Sequence, residues 1–206
     1  MAEEFRDNSA TDQSRKIEMK VTKTLIEGVV VIEPRSFEDS RGFFFEAYNK
    51  KTWQEAGLEY EFVQDNISFS HRGVLRGLHL QTGESAQAKL VSVMQGKVLD
   101  VVVDLRKDSP TFKKYFSAEL SFENKKQILV PRGCAHGFVA LSDSVIFSYK
   151  CDNFYDPSCE VGLSYNDPEI GVDWLLSESE IILAEKDLNN WSLAKVLVKL
   201  KSSPVQ

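Results

Sequence analysis

The chain reads as a mainly β protein, a sandwich or barrel of the jelly-roll kind with a few short helices, mostly C-terminal. Three observations carry that expectation. Short runs rich in β-branched and aromatic residues recur through the middle of the chain, turn signals separate them, and helical patterns are scarce. Alternating βαβ units would need far more helix, so a doubly wound sheet is not expected.

Taken in order, residues 1 to 18 are polar and charged without periodicity, which predicts a disordered tail before one domain over 19–206. Val29 to Pro34 is a β-branched run closed by proline, and Gly42 to Tyr48 is an aromatic one. Lys50 to Gly57 has the pattern of a short helix, with Gly57 as its stop. Further strands are expected over Phe62–Ser70, Leu75–Gln81, Ala88–Met94, Val98–Leu105, Tyr115–Leu120, Lys126–Val130, Gly137–Leu141 and Val145–Tyr149. Gly83, Gln95-Gly96, Asp108-Ser109-Pro110 and Pro131-Arg132-Gly133 punctuate them. Short helical pieces are expected around Glu178–Leu183, and an amphipathic helix over Ser192–Lys201.

At 206 residues the chain suits one well-cored domain. Its 42% hydrophobic and 27% charged residues are ordinary for a globular protein. No apolar run approaches the roughly 20 residues of a membrane span, and residues 1–7 lack the apolar core of a secretion signal. A cytoplasmic location and no membrane partner are therefore expected. A net charge of −6 argues against nucleic acid as a partner, while leaving room for a local basic pocket. Cys134, Cys151 and Cys159 are odd in number and lack zinc-type spacing, so they read as reduced structural thiols.

The run Val74-Leu75-Arg76-Gly77-Leu78-His79, with Lys89 beyond it, puts a guanidinium, an imidazole and an amine in one predicted hairpin. Imidazole moves protons near neutral pH, an amine steadies a developing oxyanion, and a guanidinium holds phosphate. Together they suggest proton transfer beside a carbonyl on a phosphate-bearing substrate. Strict strand alternation would send Arg76 and His79 to opposite faces, and Gly77 could supply a bulge that reunites them. A carboxylate behind His79 would fix its tautomer and stabilise the imidazolium. Spacing does not single one out among many candidates.

His136, in Pro131-Arg132-Gly133-Cys134-Ala135-His136-Gly137, lies in a turn feeding a strand and is a candidate for metal ligation. Tyr149 shares a strand face with Val145 and Phe147. A phenol remains protonated at neutral pH, so Tyr149 qualifies as a general acid and His79 as a base. The stretches from Arg41 to Glu46 and from Phe62 to Asn66 mix aromatic and polar groups, fitting a barrel wall or a surface for a nucleobase. The usual nucleotide cradles and the Gly-x-Ser-x-Gly nucleophile elbow are absent from the sequence.

Several blocks, in register, resemble the dTDP-4-dehydrorhamnose 3,5-epimerase family. They are Asp39-Ser40-Arg41-Gly42-Phe43-Phe44-Phe45-Glu46, Phe62-Val63-Gln64-Asp65-Asn66, Val74 to His79, and Val103-Asp104-Leu105-Arg106. Ser109-Pro110-Thr111-Phe112, Pro131-x-Gly133-x-Ala135-His136-Gly137-Phe138 and Tyr149-Lys150 complete the set. The resemblance runs from about residue 20 to about residue 190. It implies a cupin-type jelly roll, a homodimer with exchanged strands, no required cofactor, and a dTDP-4-keto-6-deoxy sugar as substrate. It also implies inversion at C3 and C5 through an enolate, in dTDP-rhamnose biosynthesis. By the family's pattern His79 resembles the base, Asp187 its carboxylate partner, Tyr149 the acid on the other face and Lys89 the group facing the enolate. Arg76 resembles a diphosphate contact and His136 a sugar-pocket residue. Arg41, Glu46, Gln64, Asn66 and Tyr155 are similar to nucleotide or sugar contacts, some of them reaching a partner subunit.

The rivals are an epimerase inverting C3 alone, a catalytically silent cupin that binds a nucleotide sugar or a protein, and a metal-dependent cupin oxygenase. Metal-binding cupins usually carry two histidines at i and i+2. Here Gln81 stands at the second place, and Glu84 does not restore the set, so no metal is expected.

Overall fold

A computed structural model describes residues 19–202, so the tail expected at residues 1–18 lies outside the described residues. Thirteen strands and three α-helices follow one another among them. β1 (Met19–Lys23), β2 (Val30–Pro34), β3 (Ser36–Asp39) and β4 (Gly42–Phe45) precede α1 (Lys50–Glu55). β5 (Gln64–His71), β6 (Leu75–Gln81), β7 (Lys89–Gln95), β8 (Lys97–Asp104) and β9 (Tyr115–Ser121) come next. Then follow β10 (Gln127–Val130), β11 (Cys134–Ala140), β12 (Ser144–Cys151) and β13 (Glu160–Gly162), and finally α2 (Glu185–Leu188) and α3 (Leu193–Ser202).

The strands form two facing walls, one ordered β1-β2-β10-β7-β12-β5 and the other β13-β6-β11-β8-β9, with β3 and β4 as a separate ribbon. Strands distant in sequence lie side by side in both walls, and the paired strands run antiparallel, as a jelly roll requires. Alternation sets what each wall buries. Val91, Val93 and Phe147 from the first wall meet Val98, Val102 and Phe138 from the second in the interior. The outer face of the second wall buries Leu75, Leu99 and Val101 under the C-terminal segment, through Trp174, Leu193 and Val196. α1 closes part of the first wall's outer face, where Trp53 sits on Ile32, Leu90 and Leu129. Because both faces of the second wall are covered, β8 is buried from Val98 to Asp104 and its text is nearly continuously apolar.

Helix boundaries follow their capping chemistry. Asn49 accepts from the N–H groups of Lys51 and Thr52 at the start of α1. Gly57 stops that helix at φ +76°. α3 buries Leu193 and Val196 on one face and carries Lys199 and Lys201 in its last turn, where they complement the helix dipole. Around Glu178–Leu183 there is only a 3-10 turn, Glu178–Glu180, closed by a Ser177–Glu180 capping box. Among the described residues no helix is long and apolar enough to cross a membrane.

Two of the family-like blocks are structural. Asp104, fully buried, accepts from the backbone and guanidinium of Arg106 and from the hydroxyls of Ser109 and Thr111. Burial disfavours its charge, yet these donors outweigh burial and hold its carboxyl below the usual range. The network knots the turn after β8.

Candidate active site

A cavity of about 430 Å³ lies between the walls, lined by β5, β7 and β12 on one side and β6 and β11 on the other. Its floor is aromatic. Phe138 stacks on Phe147 with ring centroids 4.1 Å apart. Such a pairing is worth about 0.5 to about 1.5 kcal/mol beyond burial.

The facing problem of Arg76 and His79 is solved by a bulge. His79 pairs with His136 and Arg76 with Phe138, so three steps along β6 oppose two along β11. Gly77 sits there at φ +128°, and a Cβ on it would lie 2.5 Å from the Gly137 Cα, a place only glycine fills without strain. Both Arg76 and His79 thereby reach the same cavity. Arg76 is held in place by bonds from Nε to Ser70 Oγ (3.1 Å) and from Nη2 to the Phe69 carbonyl (3.1 Å).

His79 Nε2 lies 2.6 Å from Oδ1 of Asp187, which α2 presents at 6% exposure. A carboxylate accepts, so the ring proton belongs on Nε2 and Nδ1 is left as the basic nitrogen. Glu160 Oε1 stands 3.8 Å from Nδ1. Two donors hold Glu160 in turn. Lys186 Nζ is 2.6 Å and the Tyr155 hydroxyl 2.7 Å from its Oε2. Burial works against ionising Glu160, but these bonds outweigh it and lower its pKa. The bond to Glu160 also pushes Tyr155 up to about 12. A second pair lies alongside. His136 Nε2 is 2.8 Å from Oδ2 of Asp100, a fully buried carboxylate that sits diagonal to it on β8.

The opposite wall supplies a cation and a phenol. Lys89 on β7 lines the cavity, and among the described residues its Nζ makes no hydrogen bond or ion pair. Desolvation lowers its pKa despite the nearby Cys151, Glu160 and Asp100. Tyr149 faces the same space, with Lys89 Nζ 6.0 Å from its ring centroid. Burial raises its pKa, so it is held as the neutral phenol. Cys151 beside them is pushed by burial up to about 11, which leaves it an unreactive thiol at neutral pH.

Of the residues singled out in the sequence, His79, Tyr149, Asp187, Lys89, Arg76, His136, Gln64, Asn66 and Tyr155 all line this cavity. Arg41 and Glu46 do not. Arg41 pairs with Asp39 at the exposed tip of the β3–β4 ribbon, and Glu46 accepts from Asn49 beside α1. Glu160 and Lys186 escape sequence reasoning. Glu160 falls in a strand of three residues, too short to pattern, although Lys186 directly precedes Asp187. Among the described residues no cluster of three or more His, Cys, Asp or Glu is placed to hold a metal ion.

Comparison with known proteins bears on this constellation. A sequence profile of the dTDP-4-dehydrorhamnose 3,5-epimerase family matches residues 23–195. The chain belongs to the dTDP-4-dehydrorhamnose 3,5-epimerase family. The Salmonella typhimurium dTDP-4-dehydrorhamnose 3,5-epimerase is 52% identical over 161 residues, covering 78% of this chain and 88% of that one. The crystal structure of the Elizabethkingia anophelis enzyme of that name superposes with a TM-score of 0.83 at 54% identity, covering 86% and 97% of the two chains. A dTDP-6-deoxy-D-glucose-3,5-epimerase from Legionella pneumophila, solved with dTDP-4-keto-L-rhamnose, gives a TM-score of 0.86 at 43% identity, covering 92% and 99%. The jelly roll is therefore of the cupin type seen in this family.

Proposed function

We propose that this chain is a dTDP-4-dehydrorhamnose 3,5-epimerase, inverting C3 and C5 of dTDP-4-dehydro-6-deoxy-D-glucose on the route to dTDP-L-rhamnose. The observation that carries the reading is the division of the cavity. A carboxylate-backed imidazole, His79–Asp187, stands on one wall, and a neutral phenol, Tyr149, stands on the other beside the amine of Lys89. Inversion needs a base on one face of a carbon and an acid on the opposite face.

C3 and C5 both flank the C4 ketone. At each, His79 Nδ1 takes the proton, and the C–H electron pair moves into a carbon–carbon double bond while the carbonyl pair moves onto O4. Lys89 faces that enolate oxygen. Its ammonium has no counter-ion among the described residues. It is therefore satisfied more fully by the enolate than by the ketone, which is where rate acceleration arises. The enolate collapses as Tyr149 gives its proton to the other face. Water then restores the proton on Tyr149 and removes it from His79. Arg76 holds the diphosphate bidentately in the manner guanidinium favours, His136 bounds the sugar, and Gln64, Asn66 and Tyr155 meet the nucleotide.

Arg41 and Glu46 take part by reaching a second copy, in a homodimer that exchanges strands. One support is that neither residue lines this chain's own cavity. Another is the exposed face of edge strand β5, where Ile67 and Phe69 are 75% and 51% exposed, an apolar edge of the kind that pairs with another chain. The three thiols are free, which fits a reducing cytoplasm.

The test is incubation with dTDP-4-dehydro-6-deoxy-D-glucose in heavy water, followed by NMR. Deuterium at both C3 and C5 supports the reading. Deuterium with inversion at C3 alone makes the enzyme a C3 epimerase, and none at either carbon refutes epimerisation.

A further inference from the structure

Gln81 stands two residues beyond His79 on β6, turned to the same cavity and 4% exposed. Its amide is almost fully committed. Nε2 donates to the Ser85 carbonyl (2.6 Å) and the Phe154 carbonyl (3.1 Å), and Oε1 accepts from the Asp156 N–H (2.7 Å). Phe154 and Asp156 flank Tyr155, in the loop of residues 152–159 that joins β12 to β13. A second buried amide, Gln87, donates to the Asn153 carbonyl at 2.7 Å. Among the described residues none of these three loop groups has a backbone partner, so side-chain amides stand in for a strand ladder.

The chemistry of the position is narrow. Two donations and one acceptance are needed from one side chain. A neutral imidazole offers one of each, and a carboxylate offers acceptance alone. A buried backbone group left unpaired is costly, so a primary amide is the group that fits here.

We propose that Gln81 is a positioning residue for the nucleotide: it seats Tyr155 against the cavity and acts on substrate affinity through that loop, not on proton transfer. This rests on the substrate reading above. It also gives the place where a metal-binding cupin carries a histidine a different task in this chain.

The test is a double-substitution cycle read by calorimetric titration with dTDP. Gln81→Met should weaken dTDP binding at least about tenfold, given several hydrogen bonds lost at once. On a Tyr155→Ala background the same change should cost less than about twofold, because the residue it positions is gone. Turnover should show KM raised with kcat within about threefold. Gln81→Glu, which turns a carboxylate oxygen toward the Ser85 and Phe154 carbonyls, should weaken binding at least as much as Gln81→Met. Equal losses on both backgrounds, or a fall in kcat at unchanged KM, would overturn the proposal. Amide exchange of the unaltered protein decides the matter even where Gln81→Met does not fold. The Asp156 N–H should be protected, and exchange at the rate of an open loop would overturn the clamp. If the unaltered protein neither binds dTDP nor exchanges substrate protons, the substrate reading fails, while Asp156 protection still reports on the clamp separately.

Discussion

Asp187 Oδ1 lies 2.6 Å from His79 Nε2, although the two residues are 108 positions apart in the chain. The docking of α2 against β6 brings them together. The carboxylate assigns the ring proton to Nε2 and so makes Nδ1 the base. Asp187→Asn keeps the shape but offers an amide that can force the other tautomer. Activity should fall by about 10²–10⁴-fold with dTDP binding unchanged. Steady-state rates beside a dTDP titration check this, and a loss of binding with intact turnover would refute the role.

Lys89 lines the cavity without a partner among the described residues, and its depressed pKa is a stability cost. The folded protein binds this proton less readily than the unfolded chain. Stability contributed at this site therefore rises with pH between the folded value and the ordinary lysine value of about 10.4. Lys89→Met should raise the melting temperature at neutral pH by a few degrees, on the order of 1 kcal/mol, while reducing epimerisation severely. The gap in melting temperature should narrow as pH rises through that window. Scanning calorimetry at several pH values tests it, and a destabilised variant would contradict it.

Gly77 makes the bulge on which the site depends. Gly77→Ala places a Cβ 2.5 Å from the Gly137 Cα at φ +128°. The change should destabilise the protein by about 1 to about 3 kcal/mol. It should also separate Arg76 from His79, so activity falls more than stability alone predicts. Denaturant titration and turnover measured at a temperature where the variant remains folded distinguish the two effects.

Arg41 lies at the tip of the β3–β4 ribbon and does not line its own chain's cavity. If it serves a partner's cavity, mixing Arg41→Ala chains with His79→Ala chains should regenerate sites that have both residues. The expected result is turnover in the mixture with a KM near that of the unaltered protein. A mixture no better than the average of its parents would place Arg41 outside the neighbouring site.

Much of this architecture is legible in the sequence because alternation is a local signal. β6 falls on Leu75–Gln81 as the pattern indicates, and α3 begins within a residue of its expected start. β11 starts three residues earlier than its pattern, at Cys134, because the residues there are buried without alternating. β1, β3, β13 and α2 are not legible, since each has only three to five residues, too few to show a period. The reactive types at His79, Lys89 and Tyr149 can be read from their chemistry. Asp187 cannot, because only docking sets it apart from other carboxylates, and family likeness alone points to it in the sequence. Glu160, Lys186 and the task of Gln81 need the third dimension, because each acts through a partner distant in sequence.

The central claim is that base and acid approach from opposite walls, and Tyr149→Phe tests it most directly. The variant keeps His79, Asp187 and Lys89 but cannot return a proton from the far side. In heavy water with the keto sugar nucleotide, NMR should show deuterium entering at C5 with configuration retained and inversion there suppressed by about 10²–10⁴-fold. Inversion at C5 by Tyr149→Phe at the rate of the unaltered protein would contradict the account.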